Sequence, residues 1–88
     1  MEVVFKTEAL SDLKHWKHSG NIAVQKRITT LLKEISKTPY TGKGKPEQLK
    51  YDLTGYWSRR INAEHRIVYR VYESEDTVEI HSLKGHYS

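Results

Sequence analysis

Most side chains that can move protons or hold anions fall in the second half of the chain. Glu47 follows Thr41-Gly-Lys-Gly-Lys-Pro46 and has Lys43, Lys45 and Lys50 beside it. Arg59, Arg60, Arg66 and Arg70 sit in two β-prone runs, and His86 and Tyr87 come last before Ser88. A carboxylate, an imidazole and a set of cations suffice to cut RNA with neither a metal nor a cofactor. One group takes the proton of the ribose 2′-OH, a second protonates the departing 5′ oxygen, and cations stabilise the charged phosphorane. DNA, with no 2′-OH, would not react this way. Imidazole, with an unperturbed pKa of about 6.5, can give and take protons near neutrality. On spacing alone Glu47 reads as an exposed loop glutamate paired with lysines, and His86 as a tail residue.

The charge distribution points to the same class of partner. Residues 1–42 carry seven basic and four acidic groups, residues 43–70 seven and three, and residues 71–88 one and four. The basic excess in the middle suits a polyanion, because lysine and arginine contacts to phosphate release counterions. With no cysteine, disulfides and thiolate chemistry are excluded. No apolar run approaches the roughly 20 residues that span a bilayer. The opening Met1-Glu-Val-Val-Phe-Lys6 lacks a signal-peptide pattern, so a cytoplasmic location and no membrane partner are expected. His15 and His18 are spaced for one helix face, but no further ligand motif accompanies them, and no metal site is expected.

The elements that must position these residues follow from periodicity. Val3, Val4 and Phe5 predict a strand ending at Thr7, a residue suited to cap a helix, with Glu8 favouring its N-terminus. Ala9, Leu10, Leu13 and Trp16 form one helical stripe. Ser19-Gly20-Asn21 breaks it, and Asn21 can cap a second helix bearing the stripe Val24, Ile28, Leu31, Leu32 and Ile35. Thr38-Pro39 ends that helix, and residues 41–46 make a basic loop. Residues 56–61 and 65–72 predict a β-hairpin, and residues 77–83 a third antiparallel strand. The expected fold is a single α+β domain over residues 1–88, two helices on one face of an antiparallel sheet, in the order βαα then β-meander. Along 66–72, Ile67, Tyr69 and Val71 share the expected core face, and Arg66, Val68, Arg70 and Tyr72 the other. Whether Arg59 or Arg60 joins Arg66 depends on hairpin register, which the pattern leaves open.

Thr38 to Lys50, Leu53-Thr-Gly-Tyr-Trp-Ser-Arg-Arg-Ile61, Glu64-His-Arg-Ile-Val-Tyr69 and His86-Tyr87 together resemble the Txe/YoeB toxins of the RelE superfamily. The resemblance covers essentially the whole chain. It implies a compact ribonuclease-like fold and a ribosome-dependent endoribonuclease acting on mRNA in the A site of the 70S ribosome. It further implies neutralisation by a cognate YefM/Phd-type antitoxin, and homodimerisation is plausible by family. Carried over residue by residue, it implies Glu47 as general base, His86 as general acid and Arg66 as the phosphorane-stabilising cation. Tyr87 would stack on a base or orient the scissile phosphate, and Arg60 and Lys50 would hold phosphate, with Lys43 and Lys45 adding positive field. Two positions depart from the pattern: Gln48 stands where a second proline is frequent, and Ser88 follows the tyrosine at which such sequences commonly end. A different class remains open on the same fold, since ParE-like relatives bind and inhibit gyrase without the ribonuclease set. A toxin that binds its partners without catalysis is a third possibility.

Overall fold

The structure, a computed structural model, describes residues 1–85. Strand β1 (Glu2–Phe5) leads into helix α1 (Thr7–Ser19) and helix α2 (Ile22–Lys37). Strands β2 (Glu47–Gln48), β3 (Trp57–Arg60), β4 (Arg66–Tyr72) and β5 (Thr77–Ser82) follow. Asn21 caps α2 as its residue type suggests, its side chain accepting from the Val24 N–H at 3.1 Å. At α1 the expected cap is corrected. Thr7 is already helical, and the capping position belongs to Lys6, whose side chain makes no capping bond. That start is held instead by backbone, with Lys6 N–H donating to the Ile80 carbonyl of β5 at 2.9 Å.

The apolar stripe of α2 buries Val24, Ile28, Leu31 and Ile35, with Leu32 packed at its edge. From α1, Ala9 and Trp16 are buried, whereas Leu10 remains exposed. These side chains meet Ile67, Tyr69, Val78, Ile80 and Leu83 from the sheet. Full burial of a large apolar side chain contributes about 1.5–3 kcal/mol, so this one layer is the principal source of stability in a chain without disulfides.

The sheet order is β1-β5-β4-β3-β2. The meander β2 to β5 is antiparallel as expected, but β1 pairs parallel with β5, from Glu2 opposite Thr77 to Phe5 opposite Ile80. The sheet is therefore mixed, because the α1–α2 hairpin and the meander return the chain to lie beside β1 in the same direction. β2 is a further departure. Its two residues lie past the basic loop and extend the meander by one short edge strand carrying Glu47.

Candidate active site on the helix-free face of the sheet

Register decides which charged residues meet. Glu47 pairs with Ser58, Ser58 with Val68, and Arg60 with Arg66. Side chains of paired residues project to the same side of a sheet. Ile67 and Tyr69 belong to the core under the helices. Hence Glu47, Arg60 and Arg66 share the opposite face, and the register left open by the sequence is settled for Arg60. Glu47 Oε2 lies 4.0 Å from Arg66 Nη1, with the carboxylate side chain 64% exposed and the arginine 18%. An exposed pair at that distance is worth at most about 1 kcal/mol, so it does not lock either group. Among the described residues Glu47 accepts no hydrogen bond, and its lone pairs remain available to a proton. Lys43, Lys45 and Lys50, near it in sequence, are exposed. The centre of the face is closed: Ser58, Val68 and Ser82 are fully buried, and among the described residues Ser58 Oγ has no hydrogen-bond partner.

Arg59, one residue from Arg60, faces the other way and is completely buried. Its Nε donates to the Tyr69 hydroxyl at 3.1 Å, its Nη1 reaches the Lys43 carbonyl at 3.3 Å and Glu34 Oε1 at 3.5 Å, and its Nη2 donates to the Thr41 carbonyl at 2.9 Å and to the Thr38 carbonyl. The Tyr69 hydroxyl in turn donates to the Pro39 carbonyl at 2.6 Å. Burial pushes the Tyr69 phenol above its ordinary pKa, and the Arg59 guanidinium partly opposes this. The Glu34 carboxylate also accepts from the Lys43 backbone N–H. One guanidinium thus ties three carbonyls of the segment after α2 to the Glu34 carboxylate of that helix. The glycines of the loop are required by this closeness. A Cβ on Gly42 would sit 1.9 Å from Glu34 Oε1, and one on Gly44 would sit 3.1 Å from the Arg60 carbonyl, both at positive φ. The Arg60 N–H closes the loop against β3 by donating to the Gly44 carbonyl at 2.7 Å.

The other end of the chain is tied down just as specifically. Trp16 Nε1 donates to the Leu83 carbonyl at 2.8 Å, and Asp12 accepts from the Leu83 N–H at 2.9 Å. Gly85 N–H donates to His65 Nδ1 at 2.9 Å, while the Gly85 carbonyl accepts from the Arg66 N–H at 2.8 Å. The His65 ring stands edge-on to Trp16 with centroids 4.8 Å apart. Helix α1 and His65 therefore pin residues 83–85 beside Arg66. The expected acid His86 and its neighbour Tyr87 lie outside the described residues.

Of the residues expected at the site, the structure gathers Glu47, Arg60 and Arg66 on one face, and leaves Lys43, Lys45 and Lys50 exposed on the segments flanking β2. Sequence reasoning missed the roles of Arg59, Glu34 and Tyr69 beneath the loop, and of Asp12 and Trp16 behind the C-terminal segment. The signal for the first group was present: two consecutive arginines in one strand must point to opposite faces, so one of them had to be buried and fully paired.

A family model described as a YoeB-like toxin of bacterial type II toxin-antitoxin systems matches residues 5–87. Toxin YoeB of Escherichia coli K12 is 41% identical over 87 residues, 99% of this chain and 100% of that protein. A YoeB/ParE toxin from Agrobacterium tumefaciens superposes with a TM-score of 0.92 at 40% identity, over 99% of this chain and 100% of that one. The Staphylococcus aureus protein superposes as a YoeB–YefM complex with a TM-score of 0.85 at 43% identity, and as a YoeB dimer with 0.86 at 42%; each covers 99% of this chain and 98% of that one.

Proposed function

The chain belongs to the YoeB-like toxins of bacterial type II toxin-antitoxin systems, and from that premise we propose that it is a ribosome-dependent endoribonuclease that cuts mRNA in the A site. The observation that carries this reading is the pairing of Glu47 with Arg66 on the helix-free face, at 4.0 Å and without a hydrogen bond to the carboxylate among the described residues. Glu47 takes the proton of the ribose 2′-OH. The alkoxide attacks the adjacent phosphorus, and Arg66, assisted by Arg60, stabilises the dianionic phosphorane. His86 protonates the leaving 5′ oxygen, which yields a 2′,3′-cyclic phosphate and a 5′-OH. Gly85, the last described residue, has its carbonyl bonded to the Arg66 N–H at 2.8 Å. Tyr87 orients the scissile phosphate. Lys43, Lys45 and Lys50 concentrate RNA near the face through their field.

Single-turnover reaction with programmed ribosomes, followed by mapping of the new mRNA 5′ ends, tests this. Cuts confined to the A-site codon are expected. Intact message, with protein that folds and binds ribosomes, would remove the reading and favour a ParE-like inhibitor that acts by binding. Among the described residues no helix is long and apolar enough to cross a membrane, and action on ribosomes places the protein in the cytoplasm. The YoeB–YefM complex and YoeB dimer of the S. aureus relative support a YefM-type antitoxin and a homodimer as partners here.

A further inference from the structure

Arg70 is the one guanidinium on the helix-free face that the proposed chemistry leaves unused. It lies four residues beyond Arg66 on β4 and on the same side, about 13 Å along the strand at roughly 3.3 Å per residue. Its Cζ sits 5.4 Å from the centroid of Tyr56 and 5.4 Å from that of Tyr72. Tyr56 is backed on another side by His81, with centroids 5.2 Å apart. Among the described residues no carboxylate lies within ion-pair distance of Arg70, and its side chain donates no hydrogen bond. Arg59 spends its donors on protein acceptors. Arg70 is instead held in place by two rings, which leaves five N–H donors unspent around a fixed plane.

We propose that Arg70, Tyr72 and Tyr56 form a second contact for the single-stranded message, gripping the nucleotide a few positions from the bond cut at Glu47 and Arg66. This rests on the ribonuclease reading. Arg70 takes the phosphate, because a guanidinium offers paired donors in a fork that matches phosphate oxygens. Tyr72, which Arg70 alone covers among the described rings, stacks on the base. Tyr56, flanked by Arg70 and His81, is the buttress. The occupant is RNA rather than an acidic protein segment because partly exposed aromatic rings flanking a cation suit a base and its phosphate together. The platform lies on the same face of β4 as the charged site, with the buried Val68 between Arg66 and Arg70. Acidic residues bound the patch: Glu79 stands opposite Arg70 on β5, beyond ion-pair distance, and Glu73, Glu75 and Asp76 lie in the turn after Tyr72.

The test uses the full chain on programmed ribosomes, with Arg70→Gln and Tyr72→Ala first shown to unfold at the wild-type midpoint. Each variant is expected to raise the half-saturating toxin concentration about tenfold, the effect of losing one stacked or ion-paired contact, with the saturated cleavage rate unchanged. Tyr72→Phe keeps the ring and retains wild-type affinity. Arg70→Gln flattens the logarithmic salt dependence by about one unit, whereas Tyr72→Ala leaves it unchanged. Messages with one abasic nucleotide, placed in turn at each position flanking the cut, then identify the partner. At one position wild type and Tyr72→Ala become equal. Unchanged half-saturation in both variants overturns the platform, as does an effect that no abasic position removes, which would assign the patch to a protein partner. Wild type that does not cleave at all overturns instead the ribonuclease reading on which it rests.

Discussion

Arg59 and Arg60 are neighbours in the chain and opposites in the fold. On the helix side of β3, Arg59 is fully buried and reaches Glu34, the Tyr69 hydroxyl and the carbonyls of Thr38, Thr41 and Lys43. On the other side, Arg60 is exposed, and the Glu47–Arg66 pair beside it is held only at 4.0 Å. The difference separates two uses of one residue type. A buried charge with its donors satisfied fixes geometry, since removing either partner leaves a desolvated charge. A solvated charge with loose partners contributes little to stability and remains available to a substrate. In a domain this small, the first use makes the second possible: Arg59 holds the loop that runs directly into Glu47.

The largest break in this contrast is expected on the solvated side, and in rate alone. Glu47→Ala and Arg66→Ala should each slow single-turnover cleavage by about 10²–10⁴-fold, the usual contribution of one proton-transfer or charge-stabilising group. Unfolding midpoints should move by no more than about 0.5 kcal/mol equivalent for the largely solvated Glu47 and by about 1 kcal/mol for the partly buried Arg66. His86→Ala should match Glu47→Ala in rate. A variant of this group that unfolds early, or cleaves at the wild-type rate, would erase the division between the faces.

The next effect falls on the buried side and in stability first. Arg59→Met keeps the bulk but leaves Glu34, Tyr69 and the loop carbonyls without their shared donor, at a cost of about 3–5 kcal/mol in urea unfolding. A loss below that of Arg60→Ala would mean that the loop holds itself. Gly42→Ala probes the same loop from outside the guanidinium. Its Cβ would collide with Glu34 Oε1, at a φ of +122°, and a loss of about 1–3 kcal/mol is expected. Because the loop carries Lys43 and Lys45, that variant should also weaken ribosome affinity more than it slows saturated cleavage.

How much of this the sequence disclosed varies with the range of the interaction. Asn21 as a cap, the α2 stripe from Val24 to Ile35, and the parity that sets Arg66 and Arg70 on one face depend on neighbours within one or two turns. They were legible for that reason. The side taken by Arg60 depends on the turn from Ile61 to His65, where the His65 carbonyl accepts from both Ile61 and Asn62 and the Asn62 side chain accepts from Glu64 and His65. One residue more or less would have exchanged Arg59 and Arg60. The parallel pairing of β1 with β5 joins residues more than seventy positions apart, and β2 is too short to show a period. Thr7 had the right type for a cap, but the backbone of β5 satisfied that helix start first. At the site, family motifs singled out Glu47 and Arg66, whereas Arg59 needed the fold to reveal it.

The smallest effect concerns how far the Arg59 network depends on a neutral Tyr69. Burial raises this phenol above 10.0, its ordinary value, against the opposing pull of Arg59. The folded protein therefore keeps a proton that the unfolded chain releases. Stability from this source is full below about pH 10 and falls as pH rises through the folded value, at no more than about 1.4 kcal/mol per unit for one group. Tyr40 is shifted the same way, by burial and then by its hydrogen bond to Glu73, so it adds to the alkaline slope. Tyr69→Phe loses stability at neutral pH with the hydroxyl bonds to Arg59 and Pro39, but its decline between pH 10 and 11.5 should be shallower than that of wild type. Urea midpoints across that range read the slope directly. Parallel slopes would show that Tyr69 ionises as freely folded as unfolded, and that the Arg59 network does not depend on the phenol proton.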